Sequence, residues 1–388
     1  MSVTTPAGFR AAGMAAGLKA SGGPDLAIVI NDGPTRTGAA VFTSNRAQAN
    51  PIRWSRQALT HSDGEVRAIV LNSGGANCFT GQFGYETSAL TASEAAMLLG
   101  TEAATIQVCS TGLIGEGGEA FRTAILTALP LLVEAASPEG GLAAANAILT
   151  TDTHAKTTSY TSPQGWSIGG MAKGAGMLAP GLATMLVVLT TDATLTAGEC
   201  DHALRAATAV TFDRLDSDGA MSTNDQVTLL ASGASGVTPK EGDFEAALAD
   251  VCSDLALQLL GDAEGASHNI AITVSGAASV ADAVEVGRSI ARNNLFKTAI
   301  FGNDPNWGRV LAAIGTTRAA FDPDNIDVTI NGVRVCSKGG PDRPRDLVDL
   351  TPREVSLDIN LFTGGESATI WTNDLTHDYV HENSAYSS

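Results

Sequence analysis

Basic residues are scarce in this chain. It carries 23 Lys and Arg against 41 Asp and Glu over 388 residues, a formal net charge of −18. Phosphate backbones and anionic membranes are held by basic surface, so neither nucleic acid nor membrane is expected as a partner, while small cationic substrates are favoured. Cysteine is sparse too. Cys78, Cys109, Cys200, Cys252 and Cys336 are odd in number and contain no Cys-x-x-Cys pair. That excludes a disulfide framework and a cysteine zinc site, and fits a reducing compartment. The six histidines, His61, His154, His202, His268, His377 and His381, show no His-Glu-x-x-His spacing. No metal is expected. No segment reaches the ~18 uninterrupted apolar residues of a membrane span. Met1 to Arg10 lacks the basic start and apolar run of a secretion signal, so the cytoplasm is the expected location. Repeats, charged blocks and linkers are missing as well.

What is present is a large potential core, with 44% hydrophobic and 16% charged residues. The length predicts two or three structural units, and strands and helices mingle throughout, which predicts one α/β body of layered sheets flanked by helices. Short apolar runs bounded by Gly, Pro, Asn and Asp predict strands at Asp25 to Ile30, Ala39 to Thr43, Arg67 to Asn72 and Thr105 to Cys109. Others are predicted at Trp166 to Gly170, Ile270 to Ser275, Glu354 to Leu361 and Ser367 to Thr372. Helices are predicted at Tyr85 to Leu99, Glu119 to Ala136 with an interruption at Pro130, Gly141 to Leu149, Gly198 to Val210, Asp243 to Leu260 and Ala281 to Asn294. The Asp243 helix is predicted to run on to a C-terminal cap at Gly265. Asn306 is a candidate cap of a further helix, and Asn331-Gly332 between alternating residues signals a hairpin.

Several polar stretches stand at strand ends. Asn72-Ser73-Gly74-Gly75-Ala76-Asn77 is a glycine turn that could offer N–H groups to an anion, or serve only as a tight connection. Ser110-Thr111-Gly112 can aim one hydroxyl and one N–H at a single point, as an oxyanion hole requires, although such pairs also occur for packing. Asp216 to Asp225 opens like a calcium loop but has Val227 where the twelfth-position glutamate belongs, so that reading fails.

The most unusual stretch runs from Gly174 to Asp192. Gly174, Gly176, Pro180 and Gly181 form a loop that leads into Thr184 and then into Met185 to Leu189, an apolar run that predicts a buried strand. The Thr184 hydroxyl could attack the carbonyl of Ala183 in an N-to-O acyl shift, whose ester hydrolyses to leave Thr184 as a new N-terminus. A free α-amino group has a pKa of about 7.7–8 and could then act as general base for its own hydroxyl. Taken alone, the stretch reads more readily as a glycine-rich turn before a core strand.

Together these stretches resemble the ornithine acetyltransferase family of arginine biosynthesis, also called glutamate N-acetyltransferase. The resemblance runs nearly end to end. It is carried by Asn72 to Asn77, Ser110-Thr111-Gly112, Thr150-Thr151-Asp152, Lys173 to Thr191, Asp262-Ala263-Glu264-Gly265, Asn303-Asp304-Pro305-Asn306-Trp307-Gly308-Arg309 and Glu382 to Ser388. It implies a self-cleaving N-terminal-threonine acyltransferase, with a fold similar to that shared by aminopeptidases and ornithine acetyltransferases. Cleavage between Ala183 and Thr184 would give an α chain, residues 1–183, and a β chain, residues 184–388, that share one core and assemble two of each. The nucleophile would be Thr184, and the oxyanion donors Thr111 and Gly112. Thr151, Lys173, Thr184, Glu264, Asn383 and Ser388 would contact the substrates, N-acetylornithine and glutamate. Glu264 suits an amino group of ornithine and Lys173 a carboxylate. No cofactor is implied. Some members also take acetyl from acetyl-CoA and others do not, and no residue here separates the two. Gly181 departs from the bulkier polar residue common in the family, which loosens the loop without removing a reacting group. A self-cleaving aminopeptidase of similar fold is the alternative, and should lack Glu264 and Asn383. A catalytically silent binding protein is the other, and would stay uncut.

Overall fold

In the computed structural model, residues 2–179 and 185–385 are described. Two sheets lie face to face. The first has four strands in the order Phe9–Met14, Leu26–Asn31, Ala68–Asn72, Ile106–Ser110, antiparallel except for the last pair. The second has five, in the order Thr37–Phe42, Gln226–Ala231, Leu186–Thr191, Ser167–Lys173, Lys156–Thr161.

Side chains alternate across each strand, and both faces of these sheets are covered, which is why the central strands read as unbroken apolar runs. Ala27, Val29, Ile69, Leu71 and Cys109 meet Met171, Leu186, Val188 and Leu230 of the facing sheet. Their neighbours Leu26, Ile28, Ile30, Val70 and Val108 point the other way, under helices Gly81–Leu99 and Glu119–Glu134. Val187 and Leu189 likewise point away from the interface, under helices Ala197–Val210 and Asp243–Gly261. Helix, sheet, sheet and helix therefore form four layers, the expected layered α/β architecture. Beside them stands a six-stranded sheet, Gly340–Pro341, Val333–Ser337, Asp327–Ile330, Glu354–Asn360, Asn269–Ala277, Glu366–Asn373, with its own apolar cluster under helices Val280–Ala291, Asn294–Phe301 and Trp307–Ile314.

Local signals gave several of these elements. The Asn306 side chain accepts the Arg309 N–H at the start of its helix. Asn331 and Gly332, both at positive φ, close the hairpin between Asp327–Ile330 and Val333–Ser337. Other expectations are corrected. Pro130 does not interrupt its helix, which runs unbroken from Glu119 to Glu134, because Pro130 is exposed while Ile125, Ala128, Leu129 and Leu132 anchor the buried face on both sides of it. The Asp243 helix ends at Gly261 with Asp262 at its C-cap, so Gly265 is not its cap. The helix expected over Ala281 to Asn294 runs from Val280 to Ala291, and a further helix, Asn294–Phe301, starts under an Asn293 side-chain cap. Helix Asn50–His61, with proline at its first turn, and the strands Phe9–Met14 and Lys156–Thr161 escaped the sequence reading.

Candidate functional site

The two face-to-face sheets bring several chain segments together at one end. Strands Ala68–Asn72 and Ile106–Ser110 finish side by side, with Asn72 opposite Ser110, and Lys173 at the end of its strand lies opposite Leu186. The Ser110 hydroxyl donates to Asn72 Oδ1 at 2.6 Å. Beyond it, the Thr111 N–H donates to Asn72 O at 2.9 Å and Gly75 N–H to Thr111 O at 3.1 Å. Gly112 follows at φ 131, where a Cβ would stand 2.5 Å from Gly75 N. Only glycine fits there. The N–H groups of Ser73, Gly75, Ala76 and Asn77 all go to backbone carbonyls. This glycine turn is thus a buttress for Thr111 and Gly112, and offers none of those four N–H groups to an anion.

Lys173 is 1% exposed and carries its ammonium into this corner. Its Nζ donates to Thr150 Oγ1 at 2.7 Å and to Thr111 Oγ1 at 3.4 Å, and lies 3.7 Å from Asp152 Oδ2. Asp152 is the hub. Its Oδ1 accepts Lys156 Nζ at 2.7 Å and the Gly174 N–H at 2.6 Å, and its Oδ2 accepts the Thr150 N–H at 3.0 Å. Burial opposes the Asp152 charge, but the Lys173 and Lys156 ammonium groups and these hydrogen bonds overcome it and hold the carboxyl well below the usual carboxylate range. Burial pushes Lys173 below the ordinary lysine value, against the pull of Asp152, with Lys156 adding a like charge. Lys156 also donates to Asp262.

On the other wall, the Thr151 hydroxyl donates to Glu264 Oε1 at 2.8 Å. The Glu264 N–H is taken by Ala175 O at 3.0 Å, and a Cβ on Gly176 would stand 2.6 Å from Glu264 Oε2. Ala175 and Gly176 are thereby moulded around the Glu264 carboxylate. Thr151, Asp262 and Glu264 line a cavity of about 650 Å³, closed on another side by Phe301 and Arg353 and by helix His377–Ala385.

The sequence candidates fall into three groups. Lys173 is hydrogen-bonded to Thr111, which Gly112 follows, and to Thr150, whose neighbour Thr151 is hydrogen-bonded to Glu264, so these five candidates lie along one connected line. Asn383 stands apart: it is exposed, its amide donates to Tyr379 O at 3.0 Å, and its helix faces the cavity through Asp378, His381, Glu382 and Ala385. Ala183, Thr184 and Ser388 lie outside the described residues. Sequence reasoning gave no role to Asp152, Lys156 or Asp262. Asp152 stood in the open, adjoining Thr151, but nothing local shows that one carboxylate serves two lysines.

Ser267, His268 and Asp374 form a second polar cluster whose residue types match a hydrolytic triad. Its geometry does not. His268 Nδ1 faces both Ser267 Oγ at 3.0 Å and Asp374 Oδ2 at 2.7 Å, while Nε2 faces Leu350 O at 2.9 Å. Base and orienting group would need opposite ring nitrogens, so this cluster pins the six-stranded sheet.

Comparison with known proteins finds relatives along the whole chain. The ArgJ family model matches residues 10–388. The chain is 60% identical over 388 residues to the arginine biosynthesis bifunctional protein ArgJ of Thermobifida fusca, covering 100% of both chains. It is 50% identical over 402 residues to the protein of the same name from Bifidobacterium longum, again covering 100% of both. Among solved structures, the ornithine acetyltransferase of Mycobacterium tuberculosis complexed with ornithine is 45% identical, covering 48% of this chain and 96% of that one, with a TM-score of 0.45. ArgJ of Bacillus halodurans is 36% identical, covering 51% and 97%, with a TM-score of 0.48. With a family model across all but its first nine residues and full-length relatives at 50–60% identity, the chain belongs to the ArgJ family.

Proposed function

We propose that this protein cuts itself between Ala183 and Thr184 and that the new terminal threonine carries acetyl from N-acetylornithine to glutamate. The observation that supports this most is the Lys173 ammonium donating to Thr111 Oγ1. A hydroxyl whose oxygen already accepts from a cation must turn its own hydrogen elsewhere and is a stronger donor for it. Thr111 O–H and Gly112 N–H then form the oxyanion site, fixed before substrate arrives by Asn72 and Gly75.

In this reading the Thr184 hydroxyl attacks the acetyl carbonyl while its α-amino group takes the proton. The oxyanion collapses, the C–N bond breaks, and the ornithine nitrogen leaves with that proton. Glutamate's amine attacks the resulting ester and the steps run in reverse. Glu264, backed by Thr151, complements a substrate amino group, as the expected cationic substrate requires. Lys173 is so buried and so occupied that its main part is to charge the oxyanion corner, with any substrate carboxylate approaching it through Thr111 and Thr150. The chemistry asks for no metal or cofactor. In the same reading the enzyme is cytoplasmic and assembles from two α and two β chains. Among the described residues no helix is long and apolar enough to cross a membrane.

Thr111→Ala is expected to mature normally and to lower the transfer rate by ~10²–10³, about 2.7–4 kcal/mol, since one oxyanion donor is lost. Steady-state kinetics on the cleaved variant check this, and unchanged turnover would return Thr111 to a packing role. Deleting residues 382–388 removes the last part of the helix over the cavity. Self-cleavage uses only an internal peptide bond and should stay near completion on a denaturing gel. Transfer should collapse through raised KM for both substrates. Normal transfer kinetics in the truncated, cleaved protein would show that Asn383 and Ser388 make no substrate contact.

A further inference from the structure

The polar loop that ends in Asn224-Asp225 failed the calcium test, and the structure gives its last two residues another place. Asn224 Nδ2 donates to Ala76 O at 2.7 Å and to Ser110 O at 2.9 Å, so one amide ties the glycine turn to the residue before Thr111. Asp225 is fully buried, and its Oδ1 accepts the N–H of Met185 at 3.1 Å. Strand Gln226–Ala231 begins next and runs parallel to Leu186–Thr191, which locks this register. Among the described residues, Asp225 Oδ2 has no hydrogen-bond partner. The Ser222 and Thr43 hydroxyls lie near the carboxylate but neither makes a well-formed hydrogen bond to Oδ2, and a buried carboxylate oxygen left so is costly unless a further donor occupies it in the working protein.

Three covalent bonds separate the Met185 nitrogen from the α-nitrogen of residue 184. We infer that Asp225 is the positioning residue of the N-terminal base: Oδ2 accepts a hydrogen bond from the α-amino group of Thr184 and stabilises the ammonium it becomes. This rests on the proposed cleavage. A nucleophile and its base need a third group that orients the base, the part an aspartate plays towards histidine in hydrolytic triads. Asp225 fills that part here, while Asn224 holds the oxyanion strand, so one dipeptide sets the distance between nucleophile and oxyanion site. Among the described residues no cation stands against the carboxyl at hydrogen-bond distance, and burial pushes its pKa well up. The charged group facing it is Lys173, itself faced by Asp152, Lys156 and Glu264. The Met185 N–H and the nearby Ser222 and Thr43 hydroxyls favour its charged form without bringing charge of their own, and burial outweighs them.

An anion beside an amine raises the amine's pKa, and the amine must be neutral to act as base. Asp225→Asn keeps a carbonyl oxygen for Met185 N–H and removes the charge, so the acid limb of kcat/KM should move down by about one pH unit or more. Asp225→Glu should move it back towards wild type. An unchanged acid limb in folded, cleaved Asp225→Asn protein would overturn the inference alone. Should Asp225→Asn not mature, the rate of carbamylation of the wild-type β-chain amine by cyanate, followed against pH, gives the same answer. An apparent pKa at or above the free value of about 8 supports the inference, and one clearly below it overturns it. Failure to find a Thr184 N-terminus in the wild type would overturn the cleavage reading and this inference with it.

Discussion

Thr184→Ala should yield a single 39.5 kDa chain on a denaturing gel, with no detectable acetyl transfer. Alanine has no hydroxyl to start the acyl shift, so the peptide bond to Ala183 stays closed and the α-amino base never forms. Both functions fall to one substitution because one residue supplies nucleophile and base. Thr184→Ser keeps a hydroxyl and should retain part of the cleavage. Two bands from Thr184→Ala would move the scissile bond elsewhere, and edman sequencing of the smaller product would locate it.

Asp152→Asn should be the most damaging change to stability in the site. Asp152 serves Lys156 and Lys173 at once, and all three side chains are at most 1% exposed. Removing one member of a buried ion cluster leaves the others uncompensated, at a cost of about 3–5 kcal/mol. The folded pKa of Asp152 lies below the unfolded one. Its contribution is therefore complete above the unfolded value of about 3.9 and is lost as pH falls below it. Urea midpoints should separate wild type from variant fully at pH 7 and converge on acidification below about pH 4. A separation that stayed constant into acid would mean that the carboxylate charge is not what holds the cluster. Asp152→Asn should also weaken transfer, since the Lys173 ammonium loses its anchor next to Thr111.

Legibility of the fold followed how local each cause was. The Asn306 cap, the Asn331-Gly332 turn and the buried run after Met185 each announce themselves within a few residues, and each is found in place. Strand Lys156–Thr161, sequence KTTSYT, has no apolar alternation to read, because it is the edge strand of its sheet and only Lys156 on it is buried. Its burial is set by two carboxylates, Asp152 four residues before it and Asp262 far along the chain. Pro130 misled in the opposite sense, since a local helix breaker was outweighed by an apolar stripe packed on a sheet.

The site divides in the same manner. Thr111-Gly112 was visible from chemistry at a strand end, and Thr151, Lys173 and Glu264 from resemblance. Their convergence depends on strands far apart in sequence meeting at one end of two sheets. The roles of Asp152 and of Asn224-Asp225 could not be read, because each is defined by partners on other segments: Lys156, Lys173 and Gly174 for the first, Ala76, Ser110 and Met185 for the second.

The central claim is that acetyl rests on the Thr184 hydroxyl between donor and acceptor. The direct measurement is to mix the cleaved enzyme with N-acetylornithine, quench in acid without glutamate, and examine the β-chain N-terminal peptide by mass spectrometry. One acetyl group on the Thr184 side chain, lost when glutamate is added before the quench, is the expected result. A β chain that stays unacetylated while ornithine is released, or an acetyl found on another residue and discharged by glutamate, would contradict it.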